Sequence, residues 1–117
     1  MSTMTHHGKG RRFSRAVVYN GTAHFSGLTA TDRTGDITSQ TRDILAKADG
    51  VLAEIGSDKS RLLSAMIWLR DIEDFNGMNS EWEKWIDLDH PPARATVESR
   101  LAAPDVRIEI LFTAAVD

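Results

Sequence analysis

Apolar and polar residues near the start of the chain are arranged as in a β-hairpin. The run Ala16–Tyr19 is short and β-prone, and Ala23–Thr29 continues the pattern after a two-residue break. That break is Asn20-Gly21, a pair that tight hairpin turns favour because both turn positions need a positive φ. The pattern therefore predicts two antiparallel strands joined by a tight turn.

Three later segments also have the pattern of strands. The continuous apolar run Leu62–Leu69 indicates a buried strand. Ala95–Ser99 follows Pro91-Pro92, which end any helix and hold the chain extended. The most regular alternation is that of Arg107–Val116, whose inward face comprises Ile108, Ile110, Phe112 and Ala114.

Two segments have the 3.6-residue periodicity of amphipathic helices. The first follows a turn-rich loop at 31–36, where Asp36, Thr38 or Ser39 can cap its start, and Gly56 suits its C-terminal end. Its apolar face comprises Ile44, Leu45, Ala48, Val51, Leu52 and Ile55.

The second helix has Asp74 as its predicted N-cap and ends before the prolines. Its tryptophans are best explained as core residues, with stacking on nucleic-acid bases as the weaker alternative. The inner face comprises Phe75, Met78, Trp82 and Trp85 or Ile86.

The element order is therefore β-β-α-β-α-β-β, with both helices on one face of a mixed sheet. This is an α+β two-layer sandwich. We expect one domain over residues 12–117, preceded by a flexible polar tail at 1–11. The second face of the last strand is too apolar to lie bare in water, so we expect another subunit to cover it. That face carries Glu109, Leu111, Thr113 and Ala115.

The composition and charge of the chain argue against several classes of function. The 117-residue chain has a net charge of −3 and no cysteine. It therefore has no disulfide, no cysteine nucleophile and no thiolate-bound zinc, and its charge does not favour a nucleic-acid partner. The four histidines lack metal-ligand spacing, so we expect no metal site. No apolar run has the length of a signal peptide core or a membrane span, so we expect a cytoplasmic protein without a membrane partner.

Two charged residues near the C-terminus are candidates for chemistry. Arg94 comes just after the rigid pair Pro91-Pro92, with one residue between them, and its planar fork suits bidentate binding of a carboxylate. Glu109 lies between two apolar residues in the last strand, a setting suited to proton transfer. The alternative is that Arg94 and Glu109 form a structural ion pair. The residues alone leave both interpretations open.

Four separated segments resemble one known family. The string PPARATVES at 91–99 and the string PDVRIEI at 104–110 are similar to the C-terminal signature of the RidA/YjgF/UK114 family. The FSG at 25–27 and the DIEDF at 71–75 agree in order and spacing. The resemblance covers about residues 12–117 and is greatest to the shorter, YoaB-like branch.

The resemblance implies a chorismate-mutase-like fold and a homotrimer whose sheets form a central barrel, with clefts between subunits. It also implies hydrolysis of 2-imino acids, such as 2-iminopropanoate and 2-iminobutanoate, to 2-keto acids and ammonia. Neither a metal nor an organic cofactor is implied. The partner is then a small imine that bears a carboxylate, with no nucleic acid expected.

Carried over by position, the resemblance assigns the catalytic roles to two residues. Arg94 corresponds to the arginine that binds the substrate carboxylate, and Glu109 to the acid that activates water. Thr96 stands where the family has a cysteine, and Phe13 where many members have a tyrosine. The implied substrate-binding residues are Phe13, Ser26, Gly27, Ala95 and Thr96.

The departures at Phe13 and Thr96 favour an alternative function, a non-catalytic trimer that binds or senses a small carboxylate in the same cleft. Some relatives are called endoribonucleases. An acidic chain with one arginine per cleft is poorly suited to RNA cleavage, so we consider that activity less favoured.

Overall fold

The computed structural model describes residues 3–117. They form one six-stranded sheet with two α-helices on one of its faces, which confirms the predicted α+β sandwich. In chain order the elements are β1 (Thr5–Lys9), β2 (Ser14–Tyr19), β3 (Thr22–Phe25), α1 (Ile37–Glu54), β4 (Leu62–Leu69), α2 (Phe75–Trp85), β5 (Ala93–Glu98) and β6 (Ile108–Ala115).

The strands lie in the order β1-β2-β3-β6-β4-β5. The last strand, β6, is therefore inserted between β3 and β4 and runs antiparallel to both. Helix α2 connects β4 to β5, which pair in parallel, as expected for a strand–helix–strand crossover. As a result β5 is an edge strand, and α2 packs beside it.

The core lies between the sheet and the two helices. Alternate residues of β6 and β4 face the helices and are almost completely buried, as their period of two predicts. The largest fully buried side chains are those of Phe112, Ile44, Leu52, Ile67, Leu69, Met78, Ile108 and Ile110. None of the helices described over residues 3–117 is long and apolar enough to cross a bilayer.

The hairpin turn and the ends of α1 form as predicted. Asn20 and Gly21 have φ angles of 50° and 75°, the two positive values that a type I′ turn requires. Asp36 caps α1 by accepting a 2.9 Å hydrogen bond from the Ser39 amide. At the other end, Gly56 has a φ of 75°, and the chain turns there as in a Schellman motif.

The segment predicted as a flexible tail at 1–11 is corrected in part. Residues Thr5–Lys9 form strand β1, in which His6 pairs with Val17 of β2. The sequence pattern misses β1 because an edge strand needs only backbone hydrogen bonds to its neighbour and no apolar alternation. Residues 1 and 2 lie outside the described part of the chain.

Candidate functional site

Arg94 projects from the edge strand β5 toward helix α2. It pairs in register with Ala65 of β4, a residue that is buried beneath the helices. Its guanidinium carbon lies 5.2 Å from the ring centroid of Trp82 and 5.9 Å from that of Phe75. Nη1 lies 4.0 Å from the Sδ atom of Met78. The guanidinium therefore lies in a cage of two aromatic rings and a thioether.

The charge of Arg94 has no carboxylate partner within residues 3–117. Partial burial lowers the pKa of the guanidinium, and the more distant charge of Glu83 opposes this shift only in part. A half-buried guanidinium that has no carboxylate partner among the described residues is suited to bind an anion from outside. We call Arg94, Thr96, Phe75, Met78 and Trp82 the arginine cluster.

Thr96 lies two residues beyond Arg94 on the same side of β5, where it pairs with Ile67. Its hydroxyl oxygen is buried and has no hydrogen-bond partner in the described part of the chain. Ala95 lies between them and points to the opposite face. The three predicted residues of β5 are therefore divided between the two faces of the sheet.

Glu109 is on β6, where it pairs with Trp68 of β4. It belongs to the face that carries no helix, because its neighbours Ile108 and Ile110 both point into the core. Gly27 lies directly beneath the Glu109 carboxylate, and a Cβ atom at position 27 would collide with that carboxylate. The Glu109 carboxylate can therefore occupy this space only because Gly27 has no side chain.

The loop after β3 holds Gly27 in position. The predicted strand Ala23–Thr29 is shorter than expected, because β3 ends at Phe25 and only Leu28 pairs again, with Ile110. Between them, the Ser26 amide donates a 3.0 Å hydrogen bond to the Arg15 carbonyl, and the Ser26 hydroxyl donates to the Ser14 carbonyl at 2.5 Å. The Ser26 hydroxyl is thus used to fix the backbone beside Gly27.

Phe13 lies close to this loop. Its ring is 66% exposed and lines a cavity of about 730 Å³ together with Ser26, Gly27 and Leu28. The structure therefore brings three of the predicted substrate-binding residues to one cavity. Of these three, Gly27 also lies against Glu109, which does not line the cavity. We call Gly27 and Glu109 the glutamate cluster.

The arginine and glutamate clusters lie on opposite faces of the sheet, with β4 between their strands. Arg94 and Glu109 form no ion pair within the described residues, so the alternative of a structural pair inside one subunit is wrong. Within one chain, the two predicted catalytic side chains therefore extend from different faces of the sheet.

Sequence reasoning missed the residues around Arg94. Phe75, Met78 and Trp82 are predicted as the inner face of α2, which is confirmed for Met78 and Trp82, whereas Phe75 is 37% exposed at the start of the helix. Their contact with Arg94 depends on how β5 packs beside α2, which no local pattern reveals. Within residues 3–117, no three His, Cys, Asp or Glu side chains converge as metal ligands would.

Comparison with known proteins decides the family. A family model described as Endoribonuclease L-PSP matches residues 7–116. A RutC family protein from Haemophilus ducreyi is 41% identical over 106 residues, which cover 91% of each chain. The RutC family protein YoaB from Escherichia coli is 39% identical over 105 residues, covering 90% of this chain and 91% of its own.

The chain belongs to the RutC/YjgF family. A crystal structure of a YjgF family member from Neisseria meningitidis has a TM-score of 0.95 and 42% identity, covering 98% of this chain and 96% of that one. The resemblance drawn from the four sequence segments is thereby confirmed, as is the fold. The names of these RutC/YjgF relatives give the family and no activity.

Proposed function

We propose that this protein hydrolyses 2-imino acids to 2-oxo acids and ammonia without a metal. The observation that carries the proposal is the half-buried guanidinium of Arg94, whose donors have no carboxylate partner within residues 3–117. A planar fork of this kind matches the carboxylate that every 2-imino acid bears. The family resemblance supplies the expectation that this carboxylate belongs to an imine.

The complete site is proposed to form between two subunits of a homotrimer. Arg94 and Glu109 lie on opposite faces of one sheet, so a substrate that contacts both must take them from different subunits. The face that carries Glu109 also needs a cover, because it holds the half-buried side chains of Met66, Trp68 and Leu111. A neighbouring copy supplies both that cover and the second half-site.

In the proposed reaction, Arg94 binds the carboxylate and so fixes the imine carbon beside Glu109. The Glu109 carboxylate takes a proton from water as the water oxygen attacks that carbon and the C=N double bond becomes single. Glu109 then passes the proton to the nitrogen. As the C–N bond breaks, Glu109 takes the proton of the remaining hydroxyl, whose oxygen forms the C=O bond, and delivers it to the departing nitrogen. One water is consumed, and one 2-oxo acid and one ammonia are released.

The test generates 2-iminopropanoate in place with an amino-acid oxidase and follows its disappearance. Wild type is compared with Arg94→Ala, Glu109→Gln and the control Arg61→Ala, whose side chain is paired with Asp117. We expect acceleration by wild type and by the control, and none by the other two variants. Light scattering on all four proteins checks that the trimer is present.

Two results would contradict the proposal. Full activity in Arg94→Ala would show that Arg94 is not the residue that binds the substrate carboxylate. Binding of a 2-oxo acid by wild type, with no acceleration of hydrolysis for any imine, would favour the alternative of a non-catalytic trimer that senses a small carboxylate.

A further inference from the structure

Trp82 connects the guanidinium of Arg94 to the centre of the core. Its indole ring is 6% exposed and stacks on Phe112, with ring centroids 6.1 Å apart and an angle of 6° between the rings. Phe112 itself is completely buried on the central strand β6. The indole also contacts Arg94, whose guanidinium carbon lies 5.2 Å from the ring centroid. Phe112, Trp82 and Arg94 thus form a continuous series of contacts from the core to the edge strand.

These contacts restrict the motion of Arg94, because the side chain of an arginine on an edge strand is otherwise free to move. Its long side chain has many rotamers, and fixing them costs conformational entropy when a ligand binds. An aromatic face attracts the guanidinium through the ring quadrupole within about 6 Å. The nearly parallel stacking on Phe112 also fixes the position of the indole ring.

The geometry points to Trp82 as a positioning residue that holds Arg94 ready for a carboxylate, with Phe75 as a second aromatic contact at 5.9 Å. This inference rests on the proposed function, since the carboxylate is that of the 2-imino acid substrate. Trp82 acts only through Arg94 and takes no part in proton transfer. Removing it is therefore expected to weaken substrate binding more than turnover.

Trp85 provides a matched control on the same helix. Its ring centroid lies 5.8 Å from that of Phe112, and its Nε1 donates to the Asp49 carboxylate at 3.1 Å. It therefore belongs to the same aromatic core, but it has no cation–π contact with Arg94. Substituting Trp85 disturbs packing as Trp82→Leu does, without removing the surface on which Arg94 lies.

The experiment compares wild type, Trp82→Leu, Trp82→Phe and Trp85→Leu in the imine hydrolysis assay. We expect Trp82→Leu to raise KM about tenfold, within the twofold to thirtyfold range of a cation–π contact, while kcat changes less than about twofold. Trp82→Phe retains an aromatic face and should recover most of the loss. Trp85→Leu should lower the melting temperature with KM within about twofold of wild type. Equal KM increases in Trp82→Leu and Trp85→Leu would overturn the inference.

A binding measurement separates this inference from the proposed function. Calorimetric titration with 2-oxobutanoate, a stable carboxylate of the same shape, should give a Kd that rises about tenfold in Trp82→Leu and stays near wild type in Trp85→Leu. If Kd changes in this way but wild type hydrolyses no imine, the proposed function is overturned, while the role of Trp82 in positioning Arg94 is supported. Absence of binding by wild type would overturn the role of Trp82.

A spectroscopic readout covers the case in which Trp82→Leu folds poorly. In wild type, the indole ring current should shift the Arg94 Nε–H and Cδ proton resonances upfield, and Trp82→Phe should reduce but retain that shift. Resonances of Arg94 at ordinary positions in wild type would overturn the inference, whatever the kinetics.

Discussion

Arg94 and Glu109 extend from opposite faces of one sheet and are separated by a single strand, with Arg94 opposite Ala65 and Glu109 opposite Trp68 on β4. Strand β4 pairs with β5 on one side and with β6 on the other, so it holds the strands that carry the two charges apart. Under the proposed function, one subunit therefore carries the carboxylate anchor and the base on different faces of its sheet.

Mixing two inactive variants should therefore restore activity. Arg94→Ala and Glu109→Gln subunits are unfolded together in equal amounts and refolded into mixed trimers. Because each site takes one residue from each of two randomly chosen subunits, about one site in four is intact. Imine hydrolysis should return to about a quarter of the wild-type rate per subunit. The variants refolded separately and then combined are the control, and equal inactivity of both preparations would contradict a shared site.

Gly27→Ala should reduce turnover by about 10- to 100-fold, the range that a small displacement of a reacting group costs. The new Cβ atom would occupy the place of the Glu109 carboxylate and force it to another rotamer. Steady-state kinetics on 2-iminopropanoate checks the loss. Gly50→Ala is the folding control, since a Cβ there meets no atom within 4 Å and a helical alanine adds about 0.5–1 kcal/mol of stability. Unchanged turnover in Gly27→Ala would show that the Glu109 carboxylate takes no part in the reaction.

Thr96→Val should make the subunit more stable by about 1 kcal/mol, because it removes a buried hydroxyl that has no hydrogen-bond partner among residues 3–117. Chemical denaturation at fixed protein concentration measures this gain. If the same hydroxyl contacts the substrate, kcat/KM falls in the same variant. A loss of stability would show instead that the hydroxyl is paired in the assembled protein.

Glu81→Gln should lower the melting temperature at pH 7. The hydrogen bond from the Arg42 guanidinium lowers the pKa of the Glu81 carboxyl below its ordinary value of 4.5, against the effect of burial, and the charges of Arg42 and Lys84 lower it further. A depressed folded-state pKa contributes stability above the unfolded-state pKa, and this stability is lost as the pH falls through the folded-state value.

The difference between wild type and Glu81→Gln should accordingly be full at pH 7 and shrink steadily below about pH 4.5. Melting curves between pH 7 and pH 3 measure it. The exposed Glu73, which forms no ion pair in the described part of the chain, serves as the control through Glu73→Gln. A difference that grows toward acid pH would have the wrong sign for this mechanism.

Local signals in the sequence predict most of the fold. The apolar run Leu62–Leu69 matches β4 residue for residue, and Asn20-Gly21 forms the expected turn. The sequence pattern does not predict strand β1, because its polar residues form a strand only through their pairing with β2. The boundary of β5 shifts because the chain is already extended from Ala93, immediately after the prolines.

Sequence patterns predict less of the candidate site than of the fold. Alternation along β5 shows that Arg94 and Ala95 point to opposite faces, but it does not show which face carries the helices. The approach of Glu109 to Gly27 and of Arg94 to Trp82 joins residues that are far apart in the chain. Such contacts are set by the sheet order and not by spacing.

The position of β6 in the sheet has a consequence for biosynthesis. Strands β1–β3 and β4–β5 are the two halves of the sheet, and β6 alone joins them. While a ribosome is making the chain, residues Ile108–Ala115 leave the exit tunnel after the other five strands. Until they do, both halves have an unpaired inner edge that is open to association with other chains. Nascent chains stalled before residue 108 should therefore need a chaperone, and the sheet closes only once β6 has emerged.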